Sequence, residues 1–181
     1  MSVPTAPAWR GVIALGLVLL SLFAHGEKAA SAESAQLKTW HGPAPAFTLA
    51  DAQGAATTLS AGRAHKTIVH FFATWCEPCL VELPALTRLA QRLGPSVQVI
   101  AISVAEPEMR VRRFLAAKAP GFPVLLDGDR AVARAWGVST LPTSFVLDAS
   151  LKPLLAAEEG VDWDKVELTP GRTADANTDN R

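Results

Sequence analysis

The sequence predicts an α/β fold: a central mixed β-sheet flanked by helices, with a β-hairpin extension on its N-terminal side. Three observations carry this. The runs "KTIVHFFA" (66–73) and "VQVIAISV" (97–104) are β-branched and apolar throughout, as strands buried on both faces are. After each of them the apolar pattern turns helical. The runs "TSFVLD" (143–148) and "KPLLAAE" (152–158) then form a closing hairpin, which makes the sheet mixed rather than wholly parallel.

In chain order, "ESAQLKTWHGPAPA" (33–46) is a polar, proline-containing lead-in, with 33–41 as linker and one domain over 42–168. "FTLADAQGAATTL" is two short strands about a turn at Asp51 to Gly54. From Cys76 to Leu93 the stripe Leu83, Leu86, Ala90, Leu93 marks an amphipathic helix, ended by Gly94-Pro95. "PEMRVRRFLAAK" (107–118) opens with Pro107 and Glu108, as helix first turns prefer. "FPVLLD" is a short strand and "RAVARAWG" a short helix closed by Gly137. The turn of the closing hairpin falls near Ala149-Ser150, and "VDWDKVEL" starts a last helix, cut by Pro170. Residues 169–181 are a polar, disordered tail.

With 49% apolar residues among 181, the chain can build a packed core. Lysine plus arginine balances aspartate plus glutamate at 17 each, so nothing argues for a nucleic-acid partner or for electrostatic steering. The N-terminus is a different matter. Arg10 precedes fourteen uncharged residues, Gly11 to Ala24, and a small-residue stretch with Ala30-Ser31-Ala32. That is the pattern of a secretory signal peptide over 1–32, cleaved after Ala32 or, second, after Gly26. Fourteen residues fall short of the roughly 17–25 a spanning helix needs, although an uncleaved segment would tether the chain through 11–24. Either outcome delivers the domain to a compartment where disulfides persist.

That compartment sharpens the question set by "TWCEPCL" (74–80), which holds both cysteines of the chain. A disulfide across two intervening residues restrains the unfolded chain little, so it is a poor staple. A metal site needs further soft or imidazole ligands, and His41, His65 and His70 have no supporting spacing. Redox work suits the position. Cys76 falls where a buried strand gives way to a helix, whose N-terminal amides and dipole favour a thiolate. Cys79 lies one turn on, on the same face, able to close a disulfide with it.

"FFATWCEPCLVELPAL", followed some sixty residues later by "GVSTLPTSFVLD", resembles the thioredoxin superfamily. More closely, it is similar to the exported TlpA/ResA/DsbE-type thiol-disulfide oxidoreductases, over about residues 42–165. The resemblance implies a thioredoxin-like fold and a redox-active Cys76–Cys79 disulfide in place of any cofactor or metal. It implies that Cys76 attacks and Cys79 resolves, that Trp75 shelters the pair, and that Pro84 bends the first helix. It further implies a cis bond before Pro142, a minority state at about 5–6% of X-Pro bonds, in a substrate-binding loop of Leu141, Pro142 and Thr143. Glu82 matches a glutamate under the pair, where a carboxylate can take the proton Cys79 loses. His70 departs from the pattern, since thioredoxins carry a buried aspartate there. An imidazole in that strand serves either as a proton relay or as a neutral, hydrogen-bonded core residue.

The residues between the cysteines bear on direction. Pro78 offers a sulfur no backbone amide, and Glu77 sets a negative charge beside Cys76, which disfavours its thiolate. Glu77 and Glu82 therefore point to a reducing couple. The resemblance implies clients with disulfides or paired cysteines, such as apocytochrome c or copper-site assembly proteins. It implies a membrane thiol-reductant transporter as donor, and a periplasmic setting, soluble or tethered to the inner membrane. Two alternatives are a thiol peroxidase of the peroxiredoxin type, for which Thr74 stands two residues before Cys76, and a copper-binding assembly factor. The first asks for an arginine over the thiolate, and the second for an added histidine or methionine ligand.

Overall fold

The computed structural model describes residues 36–168. The leader over 1–32, the segment 11–24 and the tail 169–181 lie outside the described residues. In chain order the elements are β1 (Lys38–Thr39), β2 (Thr48–Ala50), β3 (Ala56–Thr58), β4 (Lys66–Phe72), α1 (Glu77–Leu93), β5 (Val97–Val104), α2 (Glu108–Ala117), β6 (Val124–Asp127), α3 (Ala131–Ala135), β7 (Thr143–Asp148) and β8 (Pro153–Ala157). A single 3-10 turn, Gly94–Ser96, joins α1 to β5.

Six strands form one sheet in the order β1-β8-β7-β4-β5-β6. Parallel β4, β5 and β6 adjoin antiparallel β7 and β8, so the sheet is mixed, as expected. β4 is central and covered on both faces, which is why its run is apolar at successive positions. Its odd-numbered Val69 and Phe71 pack with Phe145, Ile102 and Trp136 on one face. Its even-numbered neighbours face α1: Ile68 meets Leu86 and Leu89, and Phe72 meets Cys79 and Leu83. β2 and β3 form the separate two-stranded extension. Its turn is held by Asp51 Oδ1, which accepts from the amides of Gln53 and Ala55, an Asx-type turn.

Three local expectations need correction. The stretch read as linker, 33–41, holds a short strand, because Lys38–Thr39 pair with β8 at the sheet edge. In α1 the buried stripe is Cys79, Glu82, Leu83, Ala85, Leu86 and Leu89, while Ala90 and Leu93 are only part-buried. "VDWDKVEL" is not a helix. Arg92 Nη2 donates to the carbonyls of Trp163 and Val166, taking acceptors that a helix would use for itself. Val161, Trp163 and Leu168 still bury against Ile68, Val146 and Leu89, so this sheet face is covered by irregular chain.

Candidate active site

The site is assembled at the end of β4. The Cys76 amide donates to the Ala73 carbonyl at 3.1 Å, closing a turn with Thr74 and Trp75 at its centre. Cys76 is the N-cap of α1, with extended φ −87° and ψ 100°. Glu77 and Pro78 follow in the first turn, both exposed. Proline is suited there because its missing amide would have had no partner within the helix. Cys76 and Cys79 are joined by a disulfide with a Cα–Cα distance of 5.3 Å. Cys79 is 0% exposed and Cys76 6%, so the residue of the pair with any contact to solvent is Cys76. The Cys79 amide donates to Cys76 Sγ at 3.4 Å. This places a helix N-terminal N–H against the sulfur that would carry the thiolate after reduction.

Trp75 is 64% exposed and lines a cleft of about 390 Å³ together with Ala105, Arg130, Ser139, Thr140 and Leu141. The Leu141–Pro142 peptide bond is cis, as the resemblance implies. Thr143 is buried, and its hydroxyl donates to the Thr140 carbonyl at 2.8 Å. Trp75 and Leu141 thus share the cleft, while Thr143 shapes the loop from behind.

Glu82 points into the core beneath the helix. It is 4% exposed, and its Oε2 accepts from the Trp163 indole N–H at 2.5 Å. Burial pushes its pKa up from 4.5 to about 7, against the opposing pull of Trp163 and the Val161 amide. His70 Nδ1 lies 4.0 Å from Glu82 Oε2 and 2.9 Å from Ser144 Oγ. Complete burial lowers the histidine to about 3, so the imidazole is neutral. That favours the hydrogen-bonded core role for His70. Glu82 Oε1 and His70 Nε2 are both buried without a hydrogen-bond partner.

Several contributors were invisible in the sequence. Trp163, the donor to Glu82, stands 81 residues away. Ser144, the partner of His70, is next to the cis-proline loop. Glu106 follows β5 and ties Thr74 in place through its backbone and hydroxyl. Its only signal was a carboxylate beside a buried strand. Among the described residues there is no cluster of three or more metal-ligating side chains, and no helix is long and apolar enough to cross a membrane.

A family model described as AhpC/TSA family matches residues 41–152. The chain is 36% identical over 106 residues to the thiol-disulfide oxidoreductase ResA of Bacillus subtilis strain 168, covering 58% of this chain and 59% of that one. It is 35% identical over 112 residues to ResA of Geobacillus thermodenitrificans, covering 60% and 63%. These matches span about three fifths of the curated relatives' length. A crystal structure from Chlorobium tepidum, described as a thiol:disulfide interchange protein DsbE, superposes with a TM-score of 0.61 at 28% identity, covering 68% of this chain and 87% of that one. The fold is thioredoxin-like.

Proposed function

The chain belongs to the AhpC/TSA family, and from that premise we propose that it is an exported thiol-disulfide oxidoreductase that reduces specific protein disulfides. The observation that carries the reading is a Cys76–Cys79 disulfide at a helix N-terminus, beside a cleft walled by Trp75 and the Leu141–Pro142 loop. ResA and DsbE, the names borne by its relatives, support the reaction class.

In the reduced chain the Cys76 thiolate attacks one sulfur of a client disulfide, and the other client sulfur leaves as a thiolate. Cys79, deprotonated, then attacks Cys76 Sγ. The Cys76–Cys79 disulfide forms, the client's second thiolate departs, and two electrons have passed to the client. Glu82, with a pKa of about 7, is able to hold or release a proton near neutrality beneath this helix. Apocytochrome c and copper-site assembly proteins are the clients we propose. A membrane thiol-reductant transporter restores the dithiol. The signal-peptide pattern over 1–32 supports a periplasmic setting for the exchange, with a tether through segment 11–24 if that leader is not cleaved.

The test is the reduction potential of the Cys76/Cys79 couple against glutathione or dithiothreitol buffers. A reductant gives a value near or below about −270 mV, whereas a value near about −120 mV makes the chain a disulfide donor. C79S should accumulate mixed disulfides with clients, and C76S should not. Peroxide consumption by the pure reduced protein at a rate above its disulfide exchange would replace this reading with a peroxidase.

A further inference from the structure

We propose that Glu106 is a positioning residue for Cys76, holding the turn that presents the attacking sulfur and Trp75. The inference rests on the exchange chemistry proposed above, though not on its direction or clients. Glu106 is 6% exposed, and none of the ion pairs among the described residues includes it. A buried carboxylate is costly unless its lone pairs are used, and here three hydrogen bonds use them. Oε2 accepts from the Thr74 amide at 2.7 Å and from Ser103 Oγ at 2.8 Å, while Oε1 accepts from Thr74 Oγ1 at 2.5 Å. Two of three bonds therefore reach the turn just ahead of Cys76.

Thr74 and Trp75 are the central residues of that turn, closed by the bond from the Cys76 amide to the Ala73 carbonyl. The turn makes no use of the Thr74 amide, which Glu106 takes. Clamping Thr74 from both its amide and its hydroxyl fixes the path into Cys76, and so its Sγ against the Cys79 amide. The same clamp sets the angle at which Trp75 faces the cleft.

Glu106 is itself aimed by its neighbours. Ala105 takes a left-handed φ of 58°, an uncommon conformation for a residue with a Cβ, and its amide donates to the Asp127 carbonyl at 3.0 Å. Pro107 follows as the N-cap of α2. Ser103, on β5, holds the carboxylate to the sheet. A charged hydrogen bond from the sheet to a reactive turn limits its motion in the manner that near-attack geometry requires.

The test follows the reduced full chain reacting with oxidised glutathione and with a chromogenic aromatic disulfide, well below its melting temperature. E106A should slow the Cys76 reaction by about tenfold. E106Q, which keeps an oxygen acceptor for the Thr74 amide, should recover to within about threefold of wild type. T74V loses only the hydroxyl bond and should be slowed by about threefold, which gives a reading should E106A fail to fold. Wild-type rates in folded E106A, or in T74V, would overturn the proposal. So would E106Q as slow as E106A, which would make charge rather than hydrogen bonding the requirement. A wild-type chain inert to both disulfides would remove the exchange chemistry itself, before any variant is compared.

Discussion

Glu82 and His70 are two buried groups whose pKa values one cause, burial, shifts in opposite directions. Glu82 rises from 4.5 to about 7, so the folded chain keeps a proton that the unfolded chain gives up. Stability from this residue is therefore lost as pH rises from about 4.5 through about 7, by on the order of 3 kcal/mol. His70 falls from 6.5 to about 3, so the unfolded chain takes a proton that the folded chain refuses, and stability is lost as pH falls through that range. Between about pH 4.5 and 6.5 the two slopes offset each other. Denaturation midpoints should thus form a plateau there, with an alkaline shoulder due to Glu82 and an acid limb due to His70. E82Q, a mimic of the protonated form, should flatten the alkaline shoulder. An E82Q profile that still falls between pH 6.5 and 7.5 would locate the titration elsewhere.

At the scale of elements, α1 is fastened to the irregular C-terminal segment in two ways that differ in worth. Arg88 forms an exposed bidentate pair with Asp164, and such pairs contribute about 0–1 kcal/mol. Arg92 instead satisfies the carbonyls of Trp163 and Val166. R92A should cost about 1–2 kcal/mol in chemical denaturation and R88A less than about 0.5; equal costs would show that Arg92 is no more than a surface charge. W163F should cost about 1–3 kcal/mol, because Glu82 loses its indole donor. These contacts also mark the limit of what was legible beforehand. β4, β5 and α1 could be read because their patterns arise from local burial, and Cys76, Cys79 and Pro142 because spacing and motif name them. The segment after Gly160 carries an apolar pattern that suits a helix, yet two of its carbonyls are taken by an arginine some seventy residues earlier. Glu82 was legible by position, while its partner Trp163 and the clamp at Glu106 depend on contacts that only tertiary packing creates.

For the molecule as a whole, a formal net charge of zero predicts that exchange with an uncharged disulfide changes little with ionic strength, since no long-range field is available to screen. A rate that falls several-fold between about 20 and 500 mM salt would point to a local charged patch governing encounter. The layout of the sheet bears on how copies of the chain behave together. At one border β1 is only two exposed residues long, one of them a lysine, and at the other Asp51 from the small ribbon bridges to Leu125 of β6. Both borders are therefore blunted by short or covering backbone, which deprives a neighbouring chain of a long ladder to extend. Under the proposed function, a chain that meets others sulfur to sulfur would in this way stay dispersed among its own kind, its margins closed to stacking while Trp75 beside the cysteine pair stays exposed.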